Sequence, residues 1–163
     1  MQPWASTAAR LALAGVLGVA GLLKLPDPAQ SVRAVRAYEL LPEGWVQLVG
    51  YGLPVLEVAL AALLLLGLAT RLAAVGAAVL MVVFLVGVSS AAARGLTIDC
   101  GCFGGGGTVG PAETRYTAEL VRDAGLLGAA LLLVRWPGSW LSLDRLLAPS
   151  APAAHPEPQL QES

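Results

Sequence analysis

Apolar residues run along this chain in long blocks rather than in strand-like alternation. Four blocks approach the roughly 20 mostly apolar residues that a helix needs to cross a bilayer's hydrocarbon core. The first covers residues 5–25, with Arg10 and Lys24 bracketing an uncharged run from Leu11 to Leu23. The second, 45–69, holds one charge, Glu57, and the third, 72–93, holds none. The fourth, 117–136, carries Glu119, Arg122 and Asp123 in its opening turns and is stopped by Pro137-Gly138. Trp45, Trp136 and Trp140 fall at or near block ends, where indole rings settle at headgroup level. The pattern predicts an all-α polytopic membrane protein: a four-transmembrane-helix bundle occupying residues 1–147.

The connections have their own patterns. Asp27 before Pro28 is an N-cap followed by proline at the first helical position. Val32, Val35 and Leu41 alternate with Arg33, Arg36 and Glu39, which predicts a short amphipathic helix on the membrane surface, ended by Leu40-Leu41-Pro42. The connection from Gly67 to Arg71 is tight and makes the second and third spans antiparallel neighbours. The connection from Arg94 to Thr114 is the longest and least hydrophobic. Beyond the fourth block, Trp140, Leu143, Leu146 and Leu147 suit a brief interfacial turn. The segment 148–163, with its four prolines and no apolar period, reads as a disordered tail. A positive start followed by an apolar run also fits a secretory signal peptide, but no Ala-x-Ala site follows the first block, which favours its retention as a membrane helix.

Composition agrees with the pattern. Apolar residues make up 56% of the 163, and only 13% are charged, against about 25% in ordinary soluble domains. Mean hydropathy is +0.72. A net charge of −1 without any Lys/Arg cluster excludes a nucleic-acid binder. Small residues recur on the spans: Gly15, Gly18 and Gly21, then Ala73, Gly76 and Ala77, then Gly125, Gly128 and Ala129. Such positions let helix backbones approach closely in lipid, where little hydrophobic force draws helices together.

The candidate chemistry lies in the third connection. Both cysteines of the chain, Cys100 and Cys102, flank Gly101 in Ile98-Asp99-Cys100-Gly101-Cys102-Phe103-Gly104, followed by three more glycines. Two thiols at one glycine-rich site at the membrane edge point to thiol–disulfide exchange. A Cys-x-Cys bridge closes a very small ring, and strained or exposed disulfides are the labile, catalytic ones. Two other readings stand beside it. One is a pair that only shapes the loop. The other is a metal site, which needs further ligands: Asp99 or a second subunit would supply them, since the single histidine, His155, lies in the tail. The exchange reading assigns no metal.

Cys-Gly-Cys-Phe-Gly after a third hydrophobic block, with Arg122-Asp123 opening a fourth, resembles the MauE family of methylamine-utilisation membrane proteins, within the DoxX-like group of four-helix membrane proteins. Arg10, Gly21-Leu22-Leu23-Lys24-Leu25, Asp27-Pro28, Tyr38, Leu41-Pro42 and Leu53-Pro54-Val55-Leu56-Glu57 agree with it, over about residues 8–136. The run Gly104–Gly107 departs from the family's usual one or two glycines and reads as a lengthened loop. The resemblance implies a helper in maturing disulfide-rich periplasmic proteins, such as the small subunit of methylamine dehydrogenase, alongside a thioredoxin-like partner.

Glu57 lies about twelve residues into its span, where a carboxylate costs roughly 2.5–3.5 kcal/mol on insertion scales. It should therefore face the bundle and either find a partner, with Lys24, Arg122 and Arg10 as candidates, or be protonated; Arg122 and Asp123 suit a second polar cluster under the cysteine loop. These groups either fix helix register as buried pairs or serve the redox site, carrying the proton that thiol oxidation releases or contacting a quinone headgroup, the one candidate cofactor. The lipid bilayer, a thioredoxin-like protein and a second copy of the chain are the candidate partners. Lys/Arg counts near the span ends, taken literally, place the cysteine loop in the cytoplasm. Disulfide chemistry favours the oxidising side instead, which puts both termini in the cytoplasm and the loop outside. A non-catalytic membrane scaffold with structural cysteines is the alternative function.

Overall fold

The computed structural model describes residues 3–110 and 114–137. The expected interfacial turn near Trp140 and the tail 148–163 lie outside these residues. Within them the chain is all-helical apart from one small hairpin, with five helices: α1 (Pro3–Lys24), α2 (Pro28–Ala37), α3 (Glu43–Leu66), α4 (Thr70–Ala93) and α5 (Tyr116–Arg135).

Helices α1, α3 and α4 are long and apolar enough to cross a membrane. At about 1.5 Å per residue, the 24 residues of α3 or α4 reach roughly 36 Å, more than the ~30 Å hydrocarbon core. Helix α5 has 20 residues, but Glu119, Arg122 and Asp123 keep it below the apolar standard of the other three.

Helix ends follow local chemistry. The Asp27 carboxylate accepts from the Gln30 N–H at 3.2 Å and Pro28 occupies the first turn, so α2 begins as its sequence predicts. It ends earlier than expected, at Ala37, where the chain turns through Glu39 with φ +50 rather than continuing to Leu41. The second span stops at Leu66 instead of 69: Gly67 takes a left-handed φ of +64 and donates to the Leu63 and Leu64 carbonyls. That tighter stop lets α4 start at Thr70, two residues before the expected 72.

Helix α1 packs along α3 and α5, α4 packs along α5, and α2 lies across α3. The core between the long helices is built from Leu13 and Leu17 of α1, Leu60 and Leu64 of α3, Ala73, Ala74 and Ala77 of α4, and Leu133 of α5. Close approach across small residues is real at some of the expected positions and absent at others. A Cβ on Gly21 would lie 2.6 Å from Val58 Cγ2 and 3.0 Å from the Pro54 carbonyl oxygen. Gly76 sits against Leu60 in the same way, whereas a Cβ on Gly15, Gly125 or Gly128 would meet nothing within 4 Å. One contact without a sequence signal seats α2: Gly50 of α3 lies under Val32, where a Cβ would come within 2.7 Å of the Val32 Cα. The outer faces carry the apolar residues expected of a lipid-facing surface, including Leu48, Val55, Leu72, Val79 and Val86.

Candidate functional site: a cysteine hairpin over a buried ion pair

The glycine-rich connection is a hairpin. Strands β1 (Ile98–Asp99) and β2 (Gly107–Thr108) pair antiparallel, with Ile98 opposite Thr108 and Asp99 opposite Gly107. The Val109 N–H donates to the Thr97 carbonyl at 2.9 Å, extending the closure. Tyr116, at the start of α5, clamps its base: the Tyr116 hydroxyl accepts from the Ile98 N–H at 3.1 Å and donates to the Leu96 carbonyl at 2.5 Å. The four-glycine run therefore does more than lengthen a loop. Gly104 to Gly107 all have positive φ, from +79 to +115, a region closed to side chains at ordinary cost. Gly106 also rests on α2, where a Cβ would fall 2.4 Å from the Ala34 Cβ.

Both cysteines are free thiols. The Cys102 N–H points at the Cys100 Sγ over 3.3 Å, and the Asp99 carboxylate accepts from the Gly101 N–H at 2.9 Å, fixing the turn between them. Cys102 is buried, while Cys100 is partly exposed. Their thiols are unequal: hydrogen bonding from Cys102, backed by Arg122, holds the Cys100 thiol below the usual range against its own burial. The same hydrogen bond, together with burial, pushes the Cys102 thiol up. The partly exposed sulfur that ionises readily is the one another thiol can reach, and its buried protonated neighbour lies behind it.

Several neighbours hold the hairpin from outside. The Tyr38 hydroxyl, at the end of α2, donates to the Cys100 carbonyl at 3.4 Å, and burial near the thiols pushes its own ionisation up. Arg94, at the start of the connection, donates to the Tyr38 and Ser90 carbonyls. The Arg122 guanidinium lies 5.0 Å from the centre of the Phe103 ring and donates to Asp123 at 2.8 Å. Arg122 and Asp123 thus form the expected polar cluster beneath the loop. Glu119, read from sequence only as a charge opening the fourth span, reaches the site as well: ligand atoms of Asp99, Cys100 and Glu119 lie within 4.8 Å of one another. Arg122 already supplies the positive charge at that sulfur, so a cation would compete with a guanidinium there.

Below the hairpin, inside the bundle, Lys24 Nζ lies 2.7 and 2.9 Å from the two carboxylate oxygens of Glu57. The side chains are only 3% and 0% exposed. Of the three candidate partners, Lys24 takes Glu57 and Arg122 takes Asp123. Arg10, fourteen residues before Lys24 on α1, is about 21 Å away along the helix axis and belongs to the other end of the bundle.

Between α2, α3, α4 and the hairpin is a cavity of about 200 Å³. Lys24, Ser31, Tyr38, Phe84, Cys100 and Cys102 are among its walls. It reaches from Lys24 to the thiols. Sequence reasoning missed this space, because it depends on how α2 lies across the bundle.

The family model described as Methylamine utilisation protein MauE matches residues 2–135. The chain belongs to the MauE family. The match takes in all five described helices and the hairpin. A MauE relative, the Methylamine utilization protein MauE of Paracoccus denitrificans, is 37% identical over 107 residues, 65% of this chain. The matched region spans 58% of that relative's length. No solved structure matches the chain. MauE membership together with three apolar helices of spanning length makes this a membrane protein.

Proposed function

We propose that this MauE-family protein is a membrane thiol–disulfide exchange protein acting through Cys100 and Cys102. The observation that carries the reading is the asymmetry of the pair: Cys100 partly exposed and disposed to ionise, Cys102 buried and protonated at its side. In the exchange, a thiolate of a thioredoxin-like partner attacks the Cys100 sulfur of the oxidised pair. The bond between Cys100 and Cys102 breaks, and Cys102 leaves as a thiol after taking up a proton. The partner's second thiolate then attacks its own sulfur in the mixed disulfide and releases Cys100, so the partner leaves oxidised and the pair reduced. Asp99, Gly101 and Gly104 shape the turn that presents the sulfurs, and Phe103 with Arg122 and Asp123 seats the hairpin on α5.

In the family after which MauE is named, the setting is methylamine utilisation. The client on this reading is a disulfide-rich extracytoplasmic protein, with methylamine dehydrogenase as the namesake case. The four long helices α1, α3, α4 and α5 all span, residues 1–147 forming the membrane domain and 148–163 a tail. Both termini face the cytoplasm and the hairpin faces outward. Pairing of Arg122 with Asp123, and of Lys24 with Glu57, removes these cations from the loop count that otherwise favours the opposite orientation.

A redox titration against glutathione tests the exchange reading. A pair in balance with a glutathione buffer supports exchange; a potential far below it makes the disulfide structural and favours a scaffold. Orientation is tested on intact cells with a membrane-impermeant maleimide. Labelling of Cys100 without permeabilisation is expected, and labelling only after permeabilisation contradicts the orientation.

A further inference from the structure

We propose that the cavity beneath the hairpin is a quinone site, in which the ring of a membrane quinone lies against Cys100 and Cys102 and takes up their electrons. The inference rests on the exchange reading in needing both cysteines to be redox-active.

Four features define the occupant. The first is size: about 200 Å³ suits one substituted six-membered ring, given that a cavity of about 150 Å³ accepts benzene. The second is the entrance. Leu40, Leu41 and Val83 line the cavity and are also exposed, at 50%, 40% and 58%. They give it an apolar mouth, which suits a ring carrying a long hydrocarbon tail. The third is a pair of polar atoms in an otherwise apolar lining. Ser31 is 4% exposed, and its hydroxyl has no hydrogen-bond partner among the described residues. Lys24 spends two N–H groups on Glu57 and has a third. A buried hydroxyl without a partner is costly, and a molecule with two carbonyls satisfies both donors. A lipid acyl chain satisfies neither. The fourth is the wall itself: both cysteines line the cavity.

The chemistry balances without a further reactant. The Cys100 thiolate adds to a ring carbon, forming a carbon–sulfur bond, and a ring oxygen takes up a proton. Cys102 loses its proton and attacks the Cys100 sulfur. The sulfur–sulfur bond forms, the carbon–sulfur bond breaks, and its electron pair stays with the ring, whose second oxygen is protonated. A dithiol is oxidised to a disulfide, a quinone is reduced to a hydroquinone, and the two thiol hydrogens are accounted for on its oxygens. Exchange with a partner and reoxidation by quinone then use opposite sides of one cysteine pair.

The test uses the full chain in lipid nanodiscs, reduced, freed of reductant and mixed anaerobically with decylubiquinone. Quinone absorbance and free thiols are followed together, with diamide as a water-soluble oxidant of the same thiols. One hydroquinone is expected for each pair of thiols lost. Ser31→Ala should lower the ratio of decylubiquinone to diamide rates by about tenfold, the worth of one hydrogen bond, and Val83→Trp at the mouth should abolish the quinone reaction. Thiols that diamide oxidises and decylubiquinone leaves reduced overturn the proposal, as do ratios unchanged in both variants. Partner trapping by Cys102→Ser is scored in parallel. Trapping without quinone reduction overturns the quinone site and leaves exchange standing; quinone reduction without trapping supports the site and overturns exchange.

Discussion

The backbone N–H of Cys102 points at the sulfur of Cys100 across 3.3 Å. Hydrogen bonding from Cys102 to the same sulfur makes the two thiols ionise unequally. Cys100 ionises below the usual thiol range and Cys102 above it. Rising pH therefore makes Cys100 reactive first. Iodoacetamide at neutral pH should modify Cys100 ahead of Cys102, as read by mass spectrometry of tryptic peptides. The midpoint of the Cys100 rate–pH profile should rise in Cys102→Ala, which removes the donor, and rise less in Cys102→Ser, which keeps one. Equal labelling of the two cysteines at neutral pH contradicts the assignment.

Lys24 and Glu57 make the second prediction. Removing one member of a buried ion pair leaves an uncompensated charge and costs about 3–5 kcal/mol, whereas apolar replacement of both is often neutral. Lys24→Met should lower the thermal unfolding midpoint in detergent markedly, and Lys24→Met with Glu57→Leu should recover most of the loss. A double variant as unstable as the sum of the singles would show that the pair does not act as a unit.

The hairpin's seat on α2 makes the third. Gly101 has φ +68, and a Cβ there would lie 2.6 Å from the Ala34 Cβ. Gly101→Ala combines a left-handed strain of about 1–2 kcal/mol with overpacking of about 1–3 kcal/mol. Ala34→Gly should relieve the overpacking and leave the strain. In a double-mutant cycle on unfolding, the two changes should couple favourably by about 1 kcal/mol or more. Additive effects would mean that the hairpin does not rest on α2.

Much of this architecture is legible in the sequence because its cause is local. The uncharged run from Leu72 to Ala93 forms α4, and Asp27-Pro28 starts α2, since both signals need only neighbouring residues. Lys24 is one of three candidate partners that the sequence offers for Glu57, because a carboxylate in lipid must be paired or protonated; which cation takes it depends on how α1 packs on α3. What could not be read depends on distant segments meeting. Glu119 reaches Cys100 because α5 brings its first turn under the hairpin. Tyr116 clamps Leu96 and Ile98 twenty and eighteen positions away. Ser31 lines a cavity that exists only once α2 crosses α3. The four glycines looked like slack in the chain; their positive φ values and the contact of Gly106 with Ala34 make them the means of closing the hairpin.

The central claim is that Cys100 carries the partner's sulfur in the mixed disulfide, with Cys102 leaving as the adduct forms and attacking Cys100 when that step runs in reverse. The measurement that tests it most directly is capture of that mixed disulfide from cells. Cys102→Ser, acid-quenched and run on non-reducing gels, should accumulate a reductant-sensitive adduct through Cys100 whose second component carries a thioredoxin-like fold, while Cys100→Ser should accumulate none. If neither single variant forms an adduct, and the variant lacking both cysteines still matures its client fully, the cysteines do not exchange disulfides and the account is wrong.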